Sequence, residues 1–184
     1  SGNGLHATQA DAAKKAKIGP NGGVIYDGAD DKHTHNIAAT ITSALLVIVG
    51  KTGTTANKFA LSIAEGTAAR LEIAANNGVW SFGIRTSAGG NFPKSTISPV
   101  AKAVVAFHWD GASSRLRIDG NQALSTSIAG EVVTSTHGLA VGALAGFDRE
   151  WPGNIDAAIA SYNGTYSTAD IETIENTLMT RHGI

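Results

Sequence analysis

Four polar side chains lie close together early in the chain: Asp30, Asp31, His33 and His35. Imidazole and carboxylate groups both bind metals, and two histidines two apart on an extended segment point to the same side. A metal site is one expectation here, and an ordinary solvated loop is the other. Asp148 and Glu150 are a second pair with chemical potential. Retaining glycoside hydrolysis needs two carboxyl groups roughly 5 Å apart on a rigid element. This pair instead precedes the turn-forming run Trp151-Pro152-Gly153, so no catalytic residue is expected. Gly50-Lys51-Thr52 has the ending of a phosphate-binding loop, but Leu45 stands where that motif requires glycine. The sequon Asn163-Gly164-Thr165 reads as a turn.

Binding chemistry has better candidates. The scarce large aromatics are Trp80, Trp109 and Trp151. Trp80 shares a strand face with Phe82 and Ile84, and Trp109 shares one with Val105 and Phe107, so both are expected in the core. Trp151, flanked by Arg149, Glu150 and Pro152, is the expected exposed ring, able to stack on the apolar face of a sugar. On the opposite strand faces Arg85, His108, Arg115 and Arg117 are expected to line a polar groove that hydrogen-bonds hydroxyls or carboxylates.

The elements that must hold these residues are mostly strands. Phe59, Leu61 and Ile63 alternate with Ala60 and Ser62, and Leu71 and Ile73 alternate with Arg70 and Glu72, the period of two of half-buried strands. Asn76-Asn77-Gly78 and Asp119-Gly120-Asn121 are turn signals between such runs. Residues 37–49 are uncharged and rich in β-branched types and predict one long buried strand. The count of strands reaches about ten. The C-terminus differs: Ser167 and Asp170 form an S-x-x-D capping box, Ile171, Ile174 and Leu178 make an apolar stripe, and Gly183 is a stop. A helix over 167–182 is expected, after an irregular lead-in over residues 1–22 whose stretch 10–17 reads as coil or weak helix.

Composition narrows the function. The 184 residues suit one domain, 1–184, large enough to bury roughly 70% of its unfolded surface. A net charge of −1 offers no field for phosphate backbones or anionic lipid, so nucleic acid is excluded as an expected partner. The longest apolar run, 44–49, is far short of the roughly 20 residues that cross a bilayer, so no membrane insertion is expected. There is no cysteine, which removes disulfides, thiol nucleophiles and thiolate zinc sites.

Several stretches together resemble a known family. Ser1-Gly2-Asn3-Gly4-Leu5-His6-Ala7-Thr8, Val24-Ile25-Tyr26-Asp27-Gly28, the hairpin from Val105 to Asp110-Gly111 and on to Leu116-Arg117-Ile118-Asp119-Gly120, and Gly153-Asn154-Ile155-Asp156 through Ser167-Thr168-Ala169-Asp170-Ile171 follow one another in the order seen in laminin G-like domains of the concanavalin A-like lectin/glucanase superfamily. Thr180 to Ile184 resembles the end of such a domain. The resemblance implies an all-β fold, a two-sheet antiparallel jelly-roll sandwich with a short C-terminal helix. It implies a non-catalytic recognition or adhesion module that takes a cell-surface glycan, or else a structural decoration or fibre protein contacting other virion or surface proteins, with homo-oligomers compatible with both. The E-x-D-x-x-E strand of glucanases of this fold is absent, which leaves a hydrolase or lyase as the least favoured reading. No cofactor is required, calcium is compatible, and the implied location is a virion surface, the extracellular space or a cell surface.

Overall fold

The computed structural model describes residues 17–18, 24–29, 31–65, 69–134, 138–144 and 149–184. Among these are fifteen strands and one helix: β1 (Lys17–Ile18), β2 (Val24–Asp27), β3 (His33–His35), β4 (Ala39–Ile41), β5 (Ala44–Thr52), β6 (Lys58–Glu65), β7 (Ala69–Asn76), β8 (Val79–Thr86), β9 (Gly89–Asn91), β10 (Ala103–Trp109), β11 (Ser113–Ile118), β12 (Asn121–Ser127), β13 (Val132–Thr134), β14 (Gly138–Val141), β15 (Pro152–Tyr162) and α1 (Thr168–His182). The excess over the ten expected comes from strands of two to four residues, too short to show a period.

The strands form a seven-stranded sheet, β1-β2-β15-β5-β10-β11-β12, and a six-stranded sheet, β3-β14-β6-β7-β8-β9, with β13 and β4 pairing separately. Neighbours run antiparallel, for example β10 with β5 and β7 with β8. This is the expected jelly-roll sandwich with one C-terminal helix. The Asn-Gly and Asp-Gly signals do the work expected of them. Asn77 and Gly78 join β7 to β8 with φ of 55° and 76°, and Asp119 and Gly120 join β11 to β12 with 49° and 77°. Two consecutive positive φ values twist a two-residue turn in the sense the strands require.

Between the sheets lies the main core, with Leu46, Ile48, Val105, Phe107 and Trp109 from one side and Leu61, Ile63, Leu71, Ile73, Trp80, Phe82 and Ile84 from the other. Alternation puts the remaining residues of each strand outside. On the seven-stranded sheet, the outer residues Leu45, Val47, Val49, Val104 and Ala106 are apolar as well, so this face needs a second cover. α1 provides it, packing Ile171, Ile174, Leu178 and Met179 against them. Its start is the expected capping box: Ser167 Oγ accepts from Asp170 N–H at 3.1 Å, and Asp170 Oδ2 accepts from Ser167 N–H at 2.9 Å. Gly183, at φ 65°, closes the other end with its N–H on Met179 O.

Two boundaries differ from the sequence reading. The run 37–49 is broken at Thr42 and Ser43 into β4 and β5, because the two strands pair with different partners, β13 and β10. In the lead-in, Lys17 and Ile18 pair with Ile25 and Val24 as a short edge strand, while residues 1–16 and 19–22 lie outside the described residues.

Candidate functional site

The outer face of β10, β11 and β12 is apolar only where α1 covers it. Beyond the start of the helix the outward positions become His108, Ser113, Arg115, Ser125 and Ser127, which line an open cleft of about 390 Å³ together with Asp110, Ser114, Gln122 and Thr126. Antiparallel register assembles it: His108 stands opposite Arg115, and Arg115 opposite Ser125. Of the four expected groove residues, His108 and Arg115 line this cleft together.

The electrostatics are settled by neighbours. Burial, and then the Arg115 guanidinium, hold His108 below the ordinary imidazole range, against a weaker pull from Asp110. The ring is neutral at pH 7 and offers one N–H donor and one acceptor. Burial tends to raise the Asp110 carboxyl, but N–H donation from Ser113 and Ala112, with His108 and Arg115 nearby, outweighs it and lowers the group overall. Arg115 Nη1 donates to Thr168 Oγ1 at 3.1 Å, which ties the cleft to the first turn of α1. The Tyr166 ring stands edge-on to His108 at 6.3 Å between centroids and shares a second cleft with it. Asp110, Tyr166 and the β12 hydroxyls escaped sequence reading. The outward alternation of Ser125 and Ser127 was visible, but not that it faces Arg115.

The other groove candidates separate. Arg117 is buried, not groove-lining: its Nε donates to Glu175 Oε1 and Oε2 at 3.1 and 2.9 Å, and Nη2 to Gly120 O and Glu172 Oε1. The helix that caps the apolar face reaches it first. Arg85 is exposed but belongs to β8 in the six-stranded sheet, opposite Arg70. Trp151 is the clearest correction. It is 0% exposed and stacks on Trp80 at 5.4 Å and 18°, inside the main core. Its charged neighbours misled because a single inward residue beside a strand start carries no period. Arg149 is exposed, its guanidinium 6.0 Å from the Phe59 ring.

Asp30 and Asp148 lie outside the described residues. Asp31 is buried and accepts from Asp27 N–H at 3.1 Å, a turn contact. His33 and His35 share a face on β3 opposite Val141 and Leu139. His33 Nδ1 lies 3.0 Å from the Tyr26 hydroxyl, whose pKa is raised by burial and by Asp31. Among the described residues no three acidic or imidazole groups are placed to hold one metal ion. Glu150 is 1% exposed and lies 3.4 Å from Lys32 Nζ. The Asn163 amide accepts from Thr42 N–H and donates to Thr40 O, so this sequon asparagine is a structural turn.

One buried acid stands apart. Glu72, on the outer face of the six-stranded sheet, is 5% exposed and sits over Gly83, where any side chain would collide with it. Arg70 Nε is 3.0 Å from Glu72 Oε2 but out of line, so neither atom has a hydrogen-bond partner among the described residues. Burial pushes Glu72 up to about 7, opposed in part by Arg70 and Arg149. The folded chain then holds a proton that the unfolded chain has released, so this group's contribution to stability is full below the ordinary value of 4.5 and falls as pH rises through 7. The shift corresponds to a loss of about 3 kcal/mol between pH 4.5 and 8. Urea unfolding at the two pH values should show this slope in the parent chain and lose it in Glu72→Gln; equal slopes would refute the assignment.

No helix among the described residues is long and apolar enough to cross a membrane. No protein-family model and no curated protein sequence matches the chain. Solved structures do. The binding domain of Paraclostridial Mosquitocidal Protein 1 superposes on 97% of this chain with a TM-score of 0.70 at 10% identity, and the chain spans about half, 48%, of that structure. Domain 4 of AbnA, a GH43 extracellular arabinanase from Geobacillus stearothermophilus in complex with arabinotriose, superposes on 87% of the chain and is itself 80% covered, at TM-score 0.62 and 15% identity. The CBM40 of Ruminococcus gnavus IT-sialidase bound to α2,3 sialyllactose covers 73% of the chain and is 83% covered, at TM-score 0.57 and 13% identity. At such identities the likeness establishes the fold alone, a two-sheet jelly-roll sandwich.

Proposed function

We propose that the chain is a non-catalytic recognition module that binds a glycan in the cleft around His108 and Arg115. The observation that carries this reading is the cleft itself, an open polar trough walled by hydroxyls, one amide, one carboxylate, a neutral imidazole and one guanidinium. Such a lining suits polyhydroxylated ligands, where a few fixed donors and acceptors set orientation. Two of the neighbouring folds were solved with oligosaccharides, arabinotriose and sialyllactose, which supports a sugar ligand. Catalysis is disfavoured because Glu150 is buried against Lys32 instead of facing a cleft. The reading needs no cofactor. Within the concanavalin A-like sandwiches we place the chain with the laminin G-like type, displayed on a virion, on a cell surface or secreted.

A second reading, a decoration or fibre domain making protein contacts, draws on Val100, 65% exposed, and Ile97, 40% exposed, which leave an apolar spot between β9 and β10. A glycan array followed by titration of the best ligand separates the two. Removing a charged hydrogen-bond donor costs about 1.5–3 kcal/mol, so Arg115→Ala should weaken binding at least tenfold, while Arg85→Ala on the other sheet should leave it unchanged. Equal binding by Arg115→Ala and the parent chain would overturn the cleft assignment.

A further inference from the structure

We infer that the ligand is a linear, uncharged oligosaccharide of several units, an inference that rests on the glycan reading of the His108 cleft. Three clefts that share lining residues lead from the outer face of β10–β12, past the loop before α1, to the first turns of the helix. The first, about 390 Å³, shares His108 and Asp110 with a second of about 280 Å³. The second shares Thr165 and Tyr166 with a third of about 460 Å³ that continues along α1 past Asp170, Thr173 and Ile174. Shared walls make one trough that runs from β12 to the helix. Each part alone is near the lower end of the roughly 300–1,000 Å³ typical of sites that bury a small ligand, so the trough as a whole suits a chain of rings better than one ring.

The lining changes along the trough in the way a sugar chain would use. Hydroxyls, Gln122 and Arg115 dominate at the β12 end, where ring hydroxyls need partners. At the helix end the Tyr166 ring and the Ile174 side chain supply apolar surface for the C–H face of a ring. Tyr166 is held in place beforehand, edge-on to His108 and hydrogen-bonded through its hydroxyl to Ser161 Oγ, so binding orders little there. Charge selects against an acidic chain. With His108 neutral, the trough presents one cation, Arg115, against two carboxylates, Asp110 and Asp170, the latter kept ionised by its bonds to Ser167. A polyanion running the length of the trough meets both.

The test is calorimetric titration of the intact chain with neutral gluco-, xylo-, manno- and arabino-oligosaccharides of one to six units, and with oligogalacturonates of the same lengths. In the neutral series that binds, affinity should rise at least tenfold from one unit to four and then level off, with oligogalacturonates at least tenfold weaker at equal length. Tyr166→Ala should remove most of the gain with length. Because that change also touches packing, Thr173→Trp, an exposed position on the helix that fills the third cleft, should do the same with unfolding unchanged. Binding that Arg115→Ala weakens but that is independent of length, or is indifferent to Thr173→Trp, or is stronger for oligogalacturonates, would overturn this inference and leave the glycan site standing. No binding by any series, or binding unmoved by Arg115→Ala, would overturn both.

Discussion

Arg117→Ala should lower the free energy of unfolding by roughly 3–5 kcal/mol, the cost of leaving a buried partner charge uncompensated. Glu175 is 0% exposed, and both its oxygens accept from Arg117 Nε. Water cannot replace the guanidinium without prising α1 from the sheet. A domain of this kind has a total margin of about 5–15 kcal/mol, so the loss is a substantial part of it. The double substitution Arg117→Met with Glu175→Leu should behave differently. It removes both charges and keeps most of the volume, and replacing a buried pair by packed apolar groups is neutral or stabilising by up to about 4 kcal/mol. Urea denaturation of the two variants decides the matter: a double variant as damaged as the single would mean that the pair acts through more than its mutual compensation.

Trp151→Ala should cost a further-reaching 3–5 kcal/mol, the range for removing a large buried aromatic. The ring lies against Trp80 between the sheets, and its loss opens a cavity that β-strands fixed by hydrogen bonds cannot collapse to fill. Trp151→Phe should cost less than Trp151→Ala, because an aromatic ring is kept against Trp80 and the cavity left is smaller. The indole N–H it deletes has no hydrogen-bond partner among the described residues, so no bond is broken with it. Thermal unfolding with glycan titration of the folded protein checks both points. If Trp151→Phe unfolds at the parent temperature yet abolishes ligand binding, Trp151 would have to be returned to the binding surface.

These two residues mark the limit of what the chain discloses by itself. Arg117 alternates with Arg115 along β11, and alternation correctly places both on the outer face. Whether an outer residue meets water or a helix depends on a segment 58 residues away. Arg85 has the same local look as Arg115, yet strand order puts it on the other sheet. Trp151 sits one residue before β15 among charged neighbours, where periodicity has nothing to count; its burial follows from its N–H on Gly142 O and from the ring of Trp80.

Read alone, the sequence determined the all-β class, the positive-φ turns at Asn77-Gly78 and Asp119-Gly120, the inward faces of Trp80 and Trp109, and the capped helix from Ser167 to Gly183. Each of these is a property of neighbours within about four positions, set by strand or helix period and by cap and turn chemistry. Only the tertiary structure decided that α1 lies on the outer face of the seven-stranded sheet, covering Arg117 and touching Arg115 only through Thr168 at its start. That choice is made by apolar surface on Leu45, Val47, Val49, Val104 and Ala106, which two distant strands bring together and which must be covered. The cleft is what the helix leaves uncovered.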